Sequence, residues 1–531
     1  MTQMTESEIT ISPPSVTAPT VAANPLWISL RRVISFPALM AVLLVGVALI
    51  GAQDRLIDPD TWWHVTAGEQ ILKTHTWPTS DTYSFTARGA GWIAYEWLGE
   101  VFLALAARVG GLVGLAMFQK AIVALVALLL YYYAYLRSGS AKAACIASTI
   151  VLPIAPVAFT LRPQMIGYIF LLLTLICLER FRQGHTKSLW LLPPLFVVWV
   201  NTHGTFVFGL LVIGLYWVTG LVTFQAGGLI AERLPERQRV QLLLTFLLCV
   251  LALLVSPYGS QIAANPIEMA TAQPLNIANI QEWQPLSLSM PLGKYFLVFA
   301  IALFLIQVTL RLTHKLEDMA MLLFGVYAMC AHMRFAMIFV IFLAPILAGI
   351  MARWVPAYDP AKDRYLLNLA LIVLVIFALV NLRPSKHEIE NMVAKDYPVK
   401  AVEYLRQHPQ PTGMFNEYGW GGYLISQLGP EHKVFIDGRA DLYEYSGVFP
   451  DYMTISSGQP EALRVLARHN IQSCLVNRTS SVALLLAASP GWQQAYTDEL
   501  ATIFIRTERV ERKPQIPGAA QTRPPNKGEA L

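Results

Sequence analysis

Over the first 380 residues, apolar side chains come in long unbroken runs rather than at amphipathic intervals. A run of roughly 20 apolar residues is what a helix needs to cross the ~30 Å hydrocarbon core of a bilayer. Eleven such stretches are predicted as spans, at 33–52, 112–136, 143–160, 164–181, 189–201, 204–224, 240–256, 295–312, 318–332, 335–353 and 365–382. The fifth is short and contains Pro193-Pro194, which predicts a broken or tilted helix. Beyond about residue 383 the period changes. "VKAVEYLRQH" and "PEALRVLARH" have helical amphipathic spacing, whereas "KVFID", "IQSCLV" and "ATIFIRT" read as short strands. The pattern predicts a polytopic all-α membrane protein of about 11 transmembrane helices, with a C-terminal extracytoplasmic α/β domain at 384–510.

Composition agrees: 55% of residues are hydrophobic, 14% are charged, and mean hydropathy is +0.48. The placement of cations sets the orientation. With the N-terminus inside, fifteen Lys and Arg fall in inner links and three (Arg162, Lys294, Arg334) in short outer links. The loop 53–111 and the region 384–510 then share the outer side. Residues 1–32, rich in Thr, Pro, Ser and Ala at their start, read as a disordered cytoplasmic N-terminus without signal-peptide order. Residues 33–383 form the transmembrane domain, and the Pro-rich 511–531 reads as a disordered tail. Compact loops and the lack of retention signals point to a bacterial plasma (inner) membrane. Cys145, Cys177, Cys249 and Cys330 lie in apolar stretches and Cys474 stands alone, so no disulfide framework is expected. No basic face interleaved with aromatics indicates a nucleic-acid partner.

Candidate chemistry gathers on the outer side. "LIDPDTWWHVTAGEQIL" sets Asp58 and Asp60 after the first span, then Trp62, Trp63 and His64. In structural terms Asp60 N-caps a juxtamembrane helix, Glu69 and Lys73 pair on its wet face, and the two Trp anchor at headgroup depth. That reading leaves Asp58 unexplained, and also Glu96 and Glu100 in "GWIAYEWLGE".

A first span ending in an acidic motif, a long outer loop, many further spans and an outer C-terminal domain resemble the C-type membrane glycosyltransferases. That superfamily includes protein O-mannosyltransferases, lipid A aminoarabinose transferases and oligosaccharyltransferases. The resemblance implies transfer of a sugar, with inversion, from a polyprenyl-phosphate or diphosphate donor to a glycan, lipid or protein acceptor on the outer face. It implies Asp58 as base, with Asp60 assisting. Inverting transfer needs a base for the acceptor proton and cations for the departing phosphate. Arg162, Arg334 and Lys120, at or near outer span ends, are candidates for that phosphate; the alternative is snorkelling to lipid headgroups. A divalent metal (Mg or Mn) is a further expectation, on Asp58, Asp60 and His64, with His203, His332, Glu96 and Glu100 near the same surface.

In the outer domain, "FNEYGWGGYLISQLGPEHKVFIDGRADLYEY" packs Glu417, Tyr418, Trp420 and Tyr423 around glycines, then places Asp437, Arg439 and Asp441 after a strand. With Glu96 they are candidate acceptor-binding residues; the structural alternative is a turn in which Asp437 pairs with Arg439. "NEYGWGGY" is loosely similar to the acceptor motif of oligosaccharyltransferases but lacks its paired Trp. The rival readings are a transporter or flippase and a non-catalytic scaffold for lipid-linked glycans. The outward bias of the polar residues favours surface chemistry over passage, and no inverted repeat supports transport.

Overall fold

The structure is a computed structural model that describes residues 25–52, 58–271, 273–310, 312–410 and 413–507. The expected disordered tail at 511–531 and residues 1–24 lie outside the described residues. Residues 25–32, expected to be disordered, instead belong to helix α1 (Pro25–Val33). Its Arg31 and Arg32 sit in the last turn, where cations favour the helix dipole, and Arg31 lies 5.4 Å over the Tyr365 ring.

The chain then forms α2 (Phe36–Gly51), α3 (Pro59–Thr74), α4 (Trp97–Ser138), α5 (Ala141–Val151), α6 (Gln164–Arg182), α7 (Leu192–Val200) and α8 (Phe206–Thr219). Strands β1 (Phe224–Ala226) and β2 (Leu229–Ala231) precede α9 (Glu236–Ala252), α10 (Gln261–Thr271), α11 (Pro274–Asn279) and α12 (Pro291–Leu310). After β3 (His314–Lys315) come α13 (Leu316–Ala331), α14 (Ala336–Met351) and α15 (Tyr365–Asn381). Each of the eleven predicted stretches carries a helix. Among the described residues, however, only five helices are long and apolar enough to cross a membrane: Ser29–Gly51, Trp97–Ser138, Gln164–Arg182, Pro291–Leu310 and Met333–Met351. A sixth arises if Tyr365–Asn381 and Lys386–Asp396, bent by 53°, count as one span. The others are short because several predicted runs include loop and 3-10 residues. A 14-residue helix such as α8 reaches only about 21 Å at ~1.5 Å per residue.

α14 is the hub, buried along nearly its whole length against α4, α5 and α13. α12 and α15 lie outside and turn apolar side chains such as Phe304 and Leu366 outward, as a lipid-facing surface requires. α4 kinks at Gly110–Gly111, where the predicted span begins. The small sheet β1-β2-β3, unexpected from sequence, ties two inter-span links together.

The C-terminal part adds α16 (Lys386–Asp396), α17 (Val399–Gln407), β4 (Met414–Asn416), α18 (Gly421–Leu428), α19 (Ala440–Tyr445), α20 (Val448–Ser456) and α21 (Glu461–Arg468). β5 (Ser473–Asn477), α22 (Ser481–Ala487), β6 (Trp492–Thr497) and β7 (Ala501–Arg506) complete it. The sheet order is β4-β5-β7-β6, parallel only between β4 and β5. "IQSCLV" and "ATIFIRT" supply β5 and β7. "KVFID" does not join this sheet. Its backbone bonds go to the loop between α3 and α4, Val434 N to Tyr83 O at 3.1 Å and Phe85 N to Val434 O at 3.1 Å.

That exchange reflects a shared core. Trp62, Trp63 and Trp92 pack with Phe415, Tyr423, Phe435 and Leu475 in one cluster. Trp62 and Trp63 are each only 6% exposed, so they are core residues and not headgroup anchors. The C-terminal part covers the face of α3 that the sequence assigns to the membrane surface.

Candidate functional site: an acidic and basic cavity at the start of α3

The opening motif folds differently from the sequence expectation. Asp58, not Asp60, caps α3: its side chain accepts from Asp60 N at 3.0 Å, and Asp58 N donates to Thr61 Oγ1 at 3.3 Å. Pro59 at the first helical position needs no N–H partner. The cap leaves the Asp60 carboxylate facing forward from the first turn.

Arg162 gathers the acids. Its Nε and Nη2 bind Asp58 at 2.7 and 2.9 Å, Nη2 also reaches Asp60 at 3.1 Å, and Nη1 binds both oxygens of Glu282 at 3.0 Å. The guanidinium's N–H donors are thereby spent on three carboxylates. Arg334 is less committed. It lies 3.5 Å from Glu282 and from Gln164, with its guanidinium 4.1 Å over the Trp283 ring. The pair of arginines holds the Glu282 carboxyl below its ordinary range, outweighing burial. Burial is the main cause that pushes Asp60 up to about 7, with the Asp58 charge adding and Arg162 opposing.

Behind these residues lies a quartet. His203 Nδ1 accepts from Thr205 N at 3.0 Å, which leaves Nε2 to donate to Glu96 Oε1 at 3.2 Å. His64 sits between Glu100 Oε1 at 3.3 Å and Glu96 Oε2 at 3.6 Å. Burial and the nearby arginines push His203 down to about 3, and burial likewise lowers His64, so both rings are neutral at pH 7. Burial raises Glu96 to about 8 despite Arg334 and Arg162.

Asp60, His64, Glu96, Glu100, Arg162, His203, Glu282 and Arg334 line a cavity of about 140 Å³, walled on its far side by Tyr418, Gly438, Arg439 and Asp441, whereas Asp58 lies outside it. Gly438 is required there: a Cβ at this position would lie 1.7 Å from Asp60 Oδ1. Gly421 and Gly422 serve close packing rather than the display of aromatic faces. A Cβ on Gly422 would meet Pro59 O at 2.6 Å, and one on Gly421 would meet Ile436 O at 2.1 Å. Arg439 is 2% exposed and pairs with Asp81 at 2.7 Å and Asp437 at 2.7 Å, between the rings of Tyr83 and Trp92. It staples the α3–α4 loop to the C-terminal part.

Of the predicted acceptor residues, Glu96, Tyr418, Arg439 and Asp441 line the cavity. Asp437 is buried in the Arg439 staple. Glu417 accepts from Asn477 N at 3.2 Å, and Trp420 donates to Asp396 O at 3.0 Å, both turned to the interior of the C-terminal part. Lys120 lies in a different cleft. His332 binds Trp283 O at 2.6 Å and lines an adjoining apolar cleft. Glu69 pairs with Arg108 at 2.7 Å instead of Lys73. Sequence reasoning missed Glu282, Trp283, Gln273 and Asn276, which reach the cavity from the link between α9 and α12; "IQEWQP", an acid beside a Trp between two spans, was the available signal.

The metal expectation does not fit. Among the described residues no three His, Cys, Asp or Glu side chains are disposed to hold an ion. Asp58 and Asp60 are turned onto Arg162, while His64 faces Glu96 and Glu100.

No family model and no curated protein matches this chain. Among solved structures it is similar to the archaeal oligosaccharyltransferase AglB from Archaeoglobus fulgidus, solved with an inhibitory peptide and a dolichol-phosphate. The match covers 86% of this chain and 73% of that one, with TM-score 0.47 and 11% identity. It is also similar to ArnT from Cupriavidus metallidurans, solved with undecaprenyl phosphate. There the match covers 88% and 97% of the two chains, with TM-score 0.45 and 13% identity.

Proposed function

We propose that this membrane protein transfers a glycosyl group from a polyprenyl-phosphate or diphosphate donor to an acceptor hydroxyl or amine in the α3 cavity. One observation carries the reading. A polar cavity containing a carboxylate poised near pH 7 (Asp60) and a guanidinium stacked on Trp283 (Arg334) adjoins a groove of about 940 Å³ beside α12. The groove carries Pro153, Met290, Leu292 and Tyr295, and shares Arg162 and Glu282 with the cavity. A charged head joined to a long apolar tail is the ligand chemistry that such a pair of spaces suits.

In the step proposed, the acceptor heteroatom bonds to the anomeric carbon as the bond from that carbon to the phosphate oxygen breaks. The bonding electron pair leaves with the phosphate, whose charge Arg334 stabilises, and the acceptor proton passes to Asp60. Base and leaving group on opposite sides of the sugar make the outcome inverting. Asp58 moves from its sequence-based role as base to that of positioning residue, because it caps α3, binds Arg162 through both oxygens and does not line the cavity, whereas Asp60 does. Arg162 likewise orients the acids, leaving Arg334 as the phosphate ligand. Tyr418 and Asp441 face the acceptor. No step passes through a metal.

The test is transfer from radiolabelled polyprenyl-phosphate sugars in proteoliposomes, comparing wild type with Asp60→Asn. Turnover lost in a folded D60N protein supports the reading. Failure of every donor in a broad panel, or equal turnover in D60N, overturns it.

A further inference from the structure

Lys120 is an unusual residue within its own helix, since α4 is one of the apolar candidate spans. Its ammonium makes no hydrogen bond or ion pair with any described residue, and neither does the Arg383 guanidinium. The two meet across a cleft of about 370 Å³ between α4 and the start of α16, which Lys386 also lines. The floor is apolar: Met117 and Ala116 come from α4, and Ile389, fully buried, packs on Ala116. This cleft has no lining residue in common with the α3 cavity or the groove beside α12.

We propose that the cleft seats the phosphate headgroup of an anionic phospholipid. Two cations without a partner among the described residues, Lys120 and Arg383, line it, and no carboxylate is among its lining residues. The nearest acids are occupied elsewhere: Glu388 forms the capping box with Ser385, and Glu390 pairs with Lys386 at 3.6 Å in an exposed contact. Depth is set by the fold. α15 is apolar and exposed, and the chain bends by 53° as it passes into the polar α16. Residues 382–385 therefore mark the level at which the chain leaves hydrocarbon, and Arg383 lies on that level. Lys120 reaches it from within a span, its stem along Met117. A phosphodiester with acyl chains extending down the outside of α4 and α15 would satisfy both cations while keeping its tails in lipid. A free anion would gain only the head.

The experiment uses the full chain in mild detergent, titrated with dioctanoyl phosphatidylglycerol, dioctanoyl phosphatidylcholine and inorganic phosphate, with binding read by native mass spectrometry and thermal unfolding. Phosphatidylglycerol is expected to bind and stabilise, and the other two to do neither. Lys120→Gln and Arg383→Gln should each weaken phosphatidylglycerol binding about fivefold, and together about 25-fold. Equal binding of phosphatidylcholine, equal affinity for inorganic phosphate, or a double variant that binds like wild type overturns the proposal. Should the Lys120 variant misfold, Arg383→Glu, at an exposed position, decides the matter in the same way.

Discussion

The carboxylate of Asp60 occupies the space that a side chain on residue 438 would need, with Oδ1 1.7 Å from where that Cβ would stand. Residues 378 positions apart therefore define one wall of the cavity together. Gly438→Ala should displace Asp60 and lower transfer by about 10²-fold, the scale of a misplacement near 1 Å. The melting temperature should fall as well, because Asp60 Oδ1 also accepts from the buried Trp63 Nε1 at 3.1 Å and its displacement leaves that donor unpaired. Initial rates and a thermal melt on the same preparation check both halves.

Asp60 must be ionised to act as base. With its pKa at about 7, kcat/KM should rise as pH increases through 7 and level off above it. Asp60→Asn should lose about 10²- to 10⁴-fold in rate and abolish that rising limb. A pH profile of both proteins from 5.5 to 9 settles the assignment.

The same shift has a stability side. Burial favours the protonated Asp60 in the fold, so this group's contribution to stability is complete below the ordinary value of 3.8 and is lost as pH rises through about 7. Asn cannot ionise. D60N should therefore melt above wild type at pH 8, with a smaller difference at pH 5, as scanning calorimetry can read. A gain in stability with a loss of rate is what a group retained for function produces.

Arg334→Ala should lower transfer by about 10²- to 10³-fold, comparable to removing one preorganised donor at a developing charge. Arg334→Lys keeps the charge but not the stacking on Trp283, and should recover part of that loss. By contrast, Arg162→Ala leaves Asp58, Asp60 and Glu282 without their common partner and should destabilise the fold as well. Kinetics paired with melts separate the two arginines.

Arg439→Leu breaks a buried pair and strands Asp81 and Asp437, at a cost of about 3–5 kcal/mol. Limited proteolysis should then cut the α3–α4 loop near residues 81–92 faster than in wild type.

The membrane character of the chain was legible because apolar runs register on composition alone. Span lengths were not: the run at 204–224 contains only the 14-residue α8, and hydropathy does not reveal where a helix stops. Asp58, Asp60, Arg162 and Arg334 were visible as charges out of place at span ends. Their partner Glu282 was not, because it lies in a link whose path back to the cavity depends on Glu444 holding Leu275 N and Asn276 N at 2.9 Å. Trp62 and Trp63 look the same in sequence whether they face headgroups or a protein core. Only the C-terminal part, pairing Val434 with the loop, decides between them.

The shared core of the α3–α4 loop and the C-terminal part also sets an order of assembly. The ribosome finishes Trp92 almost 400 residues before Val476, which belongs to the same core. At roughly 5–20 residues per second, the loop waits about 20–80 s for its other half. Through that interval the spans insert while three tryptophans and the Asp60 carboxylate have no finished pocket around them. A chain truncated before residue 434 would carry every candidate membrane-spanning helix among the described residues and still lack Gly438, Arg439 and Asp441 of the cavity's far wall, so the site is completed only after the spans are made.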